Sequence, residues 1–191
     1  MRDVADDWFY GAKVILIFAA ILWVVEAINT LVGNRLNLLG IYPRDVSTLP
    51  GILLWPLLHG SFEHLIMNTT PLLVMGYFVA LRGLRVFVVA TMLIDVIGGT
   101  GVWVFGRPAF HIGASGLVFG YFGFLIAIGI YEKSISALLI ASFTIFYYGG
   151  LIFGVLPGQR FISWEAHFFG LMAGIYAARW LASKEQGAQH E

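Results

Sequence analysis

Apolar stretches of near-uniform length recur along this 191-residue chain, six in all, at about 14–32, 65–81, 86–106, 112–131, 134–156 and 166–182. Each is close to the roughly 20 residues a helix needs to cross the hydrocarbon of a bilayer. In lipid an unpaired backbone N–H or C=O is so costly that only helices or a closed barrel can span. The runs are unbroken and lack the period-2 alternation of barrel strands, so they predict helices. The expected fold is an all-α integral membrane protein, a bundle of six transmembrane helices. Composition agrees, with only 12% charged residues against about 25% in a typical soluble domain.

Little chain remains outside these runs. Residues 1–13 and 183–191 read as polar tails around a single membrane domain spanning 14–182. The first run contains Glu26 and Asn29 and is followed by no small-residue cleavage pattern. It is therefore expected to stay in the protein, not to leave as a signal peptide. The one long connection, 33–63, carries Pro43, Pro50 and Pro56 among Leu, Ile, Trp and Tyr residues, which predicts a folded loop returning to the membrane interface.

Eleven Lys plus Arg balance eleven Asp plus Glu, so net charge gives no reason to expect a nucleic-acid partner. Their distribution is more telling: Arg2, Lys13, Arg82, Arg85, Lys133, Arg179 and Lys184 share the side of the termini, against Arg35, Arg44, Arg107 and Arg160 opposite. Positive charge accumulates on the cytoplasmic side, which predicts both termini there. The lack of cysteine excludes disulfides and thiolate chemistry.

Polar residues inside such a bundle are expensive and are functional candidates by default, although small and hydroxyl residues also serve helix packing alone. Ser115, in HIGASGLVFG (111–120), falls in the first turn of the fourth helix. There the backbone N–H groups lack partners and the helix dipole is positive. Those groups can stabilise an anion forming on a carbonyl oxygen beside the hydroxyl. Gly113 and Gly116 are expected to admit a substrate backbone, and Gly116, Gly120 and Gly123 to form a groove for another helix. In the last helix, EAHFFGLMAGI (165–175), His167 shares a face with Gly170, and Gly170 with Gly174 makes a GxxxG pair. Packed on the fourth helix, that face brings an imidazole beside Ser115, and a serine needs such a base to become a nucleophile.

A third cluster, HGSFEHLIMN (59–68), enters the second helix, where His64 and Asn68 share a face and can donate to an oxyanion. His59 is expected to fix the loop by hydrogen bonds. No carboxylate suits a triad: Glu165 points away from the His167 face, and Glu26 and Asp95 lie deeper in their spans, expected to bond neighbouring helices. The expectation is a Ser-His dyad whose imidazole packs on Phe119, one turn below Ser115. HExxH is absent and HGSFEH is one residue longer than HxxEH, so no metal is expected.

These residues resemble the rhomboid family of intramembrane serine proteases. GASG at a helix start, HGSFEHLIMN on the second span and AHFFGLMAG on the sixth occur in that order, over a region of about 14–182 similar to the basic six-helix bacterial form. The resemblance implies Ser115 as nucleophile, His167 as general base and acid, and an oxyanion hole from His64, Asn68 and the Ser115 N–H. It implies single-pass transmembrane protein substrates cut near the membrane surface, no cofactor, and a bacterial inner-membrane setting with the site opening opposite the termini. It also implies a cap formed by loop 156–164, and the fifth helix with that loop is the expected gate. Two features depart from the family: no Trp-Arg pair occurs within 33–63, and Phe119 stands where many members have Tyr. The rival is a catalytically inactive relative that binds transmembrane helices. A small transporter is expected to carry paired charges or broken helices at mid-membrane, whereas the polar cluster here lies near one surface.

Overall fold

A computed structural model describes residues 4–158 and 162–188. In chain order it contains α1 (Val4–Leu31), the short α2 (Gly51–Leu54), α3 (Phe62–Ala80), α4 (Leu84–Phe105), α5 (Ser115–Glu132), α6 (Ile135–Tyr148) and α7 (Trp164–Ala188). Among the described residues the only β pairing is an isolated bridge between Ile41 and His111. Two helices extend beyond their apolar runs: α1 begins at Val4 and α7 reaches Ala188, so much of the expected polar tails is helical. The fifth run splits, with α6 ending at Tyr148 and Gly149–Val155 winding as a 3-10 helix. Gly149 and Gly150 weaken the α-helix there.

Four helical stretches are long and apolar enough to cross a membrane: Phe9–Leu31, Leu84–Phe105, Ser115–Glu132 and Ile135–Val155. The chain is an all-α membrane protein. The long helices outside that set, α3 and α7, carry the candidate histidines together with Glu63, Asn68 and Glu165. The polar residues of their first turns lower their apolarity.

The central element is α5, apolar around its whole circumference and buried accordingly. Its most extensive partner is α7. The α-hydrogen of Gly170 faces the Gly116 carbonyl, and Gly174 likewise meets Gly120, so the two backbones touch where any side chain would hold them apart. On its other side Gly170 lies against Gly98 of α4. One small residue on α7 therefore lets three helices converge just below Ser115.

The segment between α1 and α3 is a built structure. Its 3-10 turns at Arg35–Leu39, Val46–Thr48 and Trp55–Leu57 flank α2. Ile41 and His111 exchange backbone hydrogen bonds of 3.1 and 2.8 Å. Arg44 donates to the carbonyls of Val104 (3.1 Å) and Gly106 (2.9 Å), groups that the end of α4 leaves unpaired. Trp103 returns a bond from its indole N–H to the Asp45 carbonyl at 3.0 Å. The loop is thus stitched to the strap, 106–114, that leads into Ser115.

Candidate active site

The turn before Ser115 is held residue by residue. Gly113 has φ +118°, a conformation that side chains resist. Its N–H donates to the Trp55 carbonyl at 2.8 Å, and the Ala114 N–H donates to His59 Nε2 at 3.3 Å. Ser115 begins α5, and its N–H has no acceptor among the described residues. Two successive donors are consumed by the long loop and the third is left at the positive end of an 18-residue helix. This is the arrangement that favours a negative oxygen beside the hydroxyl.

The space expected to admit a substrate at Gly113 and Gly116 is occupied by the protein itself. A Cβ on Gly113 would sit 2.6 Å from His64 Cε1 and 2.9 Å from Nε2. One on Gly116 would sit 2.8 Å from Trp55 Cζ3. These glycines serve close packing of two rings, which spacing alone does not distinguish from room for a ligand.

His167 is buried, with its ring parallel to Phe119 at 4.0 Å between centroids and 6° between planes. Its Nδ1 is 2.9 Å from the Gly154 carbonyl oxygen, which can only accept. The proton therefore resides on Nδ1, and Nε2 keeps the basic lone pair. Glu165 is turned elsewhere: its Oε1 accepts from the Arg107 N–H at 3.2 Å and pairs with Arg107 Nε at 3.6 Å. A backbone carbonyl, and not a carboxylate, is the partner of His167 Nδ1.

Ser115 and His167 are brought to the same end of the α5–α7 pair, since Phe119 is one turn below Ser115 and His167 one turn above Gly170. No hydrogen bond joins Ser115 Oγ to the imidazole among the described residues. Such bonds are often long until substrate is bound. On α3, Ser61 caps the helix by accepting from the His64 N–H at 3.2 Å. The His64 ring packs edge-on against His59, 5.1 Å between centroids. Asn68 donates one amide N–H to the His64 carbonyl at 3.0 Å, leaving its second N–H for another acceptor. Of the loop expected to cap this region, 159–161 lies outside the described residues.

Three polar connections here have no signal in the spacing of residues. Asn29 donates to Glu26 Oε2 (3.1 Å), Asn37 Oδ1 (3.0 Å) and the His59 carbonyl (3.1 Å), so α1 braces the His59 loop. Trp55 Nε1 donates to Asp95 Oδ1 at 2.7 Å. His111 bonds Ser163 Oγ at 2.6 Å, and Ser163 caps α7 by accepting from the Ala166 N–H at 3.2 Å. Asn29 to Glu26 is a step within α1, but the bonds to the His59 carbonyl, to Asp95 and to Ser163 join segments remote in sequence and follow no period.

Burial, and secondarily the neighbouring His64, push the His59 pKa down to about 4. Because the unfolded imidazole titrates near 6.5, the unfolded chain binds more protons than the native one between the two values. Stability then rises with pH across that window and is lost on acidification, by roughly 3 kcal/mol in all. The thermal midpoint in detergent is expected to fall as pH drops from 7 to 4.5. His59→Gln, which retains an acceptor for Ala114, should flatten part of that slope. His111, also held low by burial, sustains part of the remainder. An identical slope in the variant rules His59 out as its source.

A family model described as the Rhomboid domain matches residues 47–184. The uncharacterized protein Rv1337 of Mycobacterium tuberculosis is 41% identical over 191 residues, covering 95% of this chain and 80% of that protein. The uncharacterized protein Mb1372 of Mycobacterium bovis matches with the same identity and coverage, 41%, 95% and 80%. The uncharacterized protein ML1171 of Mycobacterium leprae is 37% identical over 188 residues, 94% of this chain and 74% of its own.

Proposed function

The chain belongs to the rhomboid family, and from that premise we propose that it is an intramembrane serine endopeptidase working through a Ser115–His167 dyad. The observation that carries this reading is the His167 ring, stacked on Phe119 with its Nδ1 proton committed to the Gly154 carbonyl. An imidazole held in that tautomer presents Nε2 as a base. Nothing in helix packing alone requires it.

In the proposed reaction Ser115 Oγ attacks the carbonyl carbon of the scissile peptide while His167 Nε2 takes the hydroxyl proton. The carbonyl oxygen becomes an oxyanion, accepting from the free Ser115 N–H, from His64 and from the second amide N–H of Asn68. His167 returns the proton to the leaving amine as the C–N bond breaks, giving an acyl-enzyme on Ser115. A water, deprotonated by the same Nε2, then releases the carboxylate product and restores the serine. No step draws on a cofactor or metal.

The substrates of this reading are single-pass transmembrane proteins, cut near the membrane surface. All six long helices span the bilayer, with both termini cytoplasmic in a bacterial inner membrane and the site opening on the opposite face. The decisive test is covalent labelling of the reconstituted chain by a fluorophosphonate, with the modified residue located by mass spectrometry. Modification at Ser115, abolished in His167→Ala and accompanied by cleavage of a single-span substrate in liposomes, is the expected result. A folded chain that neither labels nor cleaves but retains transmembrane helices would establish the inactive helix-binding relative.

A further inference from the structure

Asp95 is a buried acid in the middle of α4, and no step above uses it. Its Oδ1 accepts from the indole N–H of Trp55 at 2.7 Å. Trp55 belongs to the long first loop yet is fully buried, and it touches the Ser115 turn in two ways. Its carbonyl holds the Gly113 N–H at 2.8 Å, and its six-membered ring lies against the Cα of Gly116. The residues it contacts lie on either side of Ala114 and Ser115. Gly99, one turn beyond Asp95, makes room for the indole nitrogen, since a Cβ there would lie 3.2 Å from Trp55 Nε1.

An indole on a loop has two side-chain torsions to fix, and packing against glycines leaves sliding in the ring plane weakly opposed. The bond to Asp95 opposes that motion. It is directional, short, and anchored on a helix that also packs against α5 and α7. Fixing Nε1 fixes where the far edge of the ring meets Gly116, and the same residue's carbonyl fixes Gly113. The free Ser115 N–H is aimed by both.

We propose that Asp95 is a positioning residue for the nucleophile turn, acting through Trp55 to hold the Ser115 hydroxyl and N–H in register with the scissile carbonyl. The proposal rests on the protease reading above. An acceptor is what the position requires. Asn therefore substitutes for Asp in this role, and an apolar residue of similar size does not.

The test uses the full chain reconstituted in liposomes, comparing wild type with Asp95→Leu, Asp95→Asn, Trp55→Phe and the double variant Trp55→Phe/Asp95→Leu. The measurements are kcat and KM on a single-span substrate, the rate of fluorophosphonate labelling, and the thermal midpoint. A displacement of order 1 Å at a reacting group can cost about a hundredfold. Asp95→Leu is accordingly expected to lower kcat and the labelling rate together, by about ten- to a hundredfold, with KM unchanged. Asp95→Asn should recover most of that loss, and the double variant should lose no more than Trp55→Phe alone. A merely structural role would lower the midpoint and leave kcat of the folded enzyme intact.

Wild-type kcat in folded Asp95→Leu, or losses that multiply in the double variant, overturns the proposal while the protease reading stands. If Asp95→Leu does not fold, Trp55→Phe decides, and undiminished kcat there is equally fatal. A wild type inert to both substrate and fluorophosphonate overturns the protease reading and this proposal with it.

Discussion

Ser115→Ala is expected to lower substrate cleavage in liposomes by at least about 10⁴-fold, and His167→Ala by a similar factor. The combined variant should be no slower than either alone, because in the proposed dyad nucleophile and base act as one unit and removing one already disables the other. Stability should barely change in Ser115→Ala, whose hydroxyl has no hydrogen bond among the described residues. His167→Ala loses both the parallel stack on Phe119 and the hydrogen bond to the Gly154 carbonyl, each worth about 1 kcal/mol, and should melt earlier. Residual activity within tenfold of wild type in Ser115→Ala would remove the serine from the mechanism.

The second large effect is on folding. In Gly174→Ala the new methyl group meets the backbone carbonyl of Gly120, with no flexible side chain that could yield. The α5 and α7 backbones must separate along their most extensive contact. Overpacking costs about 1–3 kcal/mol where side chains can adjust, and a backbone clash belongs at the upper end. A loss of about 3 kcal/mol corresponds to roughly 6–12 °C in the midpoint of a chain this size. Gly170→Ala presses on the Gly116 carbonyl, next to Ser115, and should lower kcat as well as stability. Gly150→Ala, where a Cβ meets nothing within 4 Å, is the control and should not lower the midpoint. A wild-type midpoint in Gly174→Ala would mean that the helices do not approach as described.

Features with a helical period were legible in the sequence. The His167, Gly170 and Gly174 face, the Gly116 and Gly120 groove, and Ser115 at a helix start all follow from residues three or four apart. So does Phe119 below Ser115, the platform on which His167 stacks. Contacts between loops were not legible. Nothing in the chain announces that Trp55 meets Asp95, 40 residues away, or that Asn29 meets His59, 30 residues away. Such pairs are chosen by the folded geometry, and each partner alone has many possible mates. The lower apolarity of α3 and α7 has a related origin. The polar residues that mark them as candidates for chemistry also keep them outside the four stretches apolar enough to cross a membrane.

The acceptor for His167 Nδ1 is the carbonyl of Gly154, part of the main chain. A carboxylate in that place would be one codon change from loss and would titrate in acid. A peptide oxygen is present whatever residue is encoded, and it does not protonate in the physiological range. Random mutagenesis would therefore find no single substitution that deletes the orienting group. It would find instead a scatter of changes around 149–155 that bend the backbone, each displacing the carbonyl that holds the His167 ring. A Cβ on residue 154 itself, 2.7 Å from Phe119 Cζ and 3.2 Å from His167 Nδ1, would be the most damaging of these.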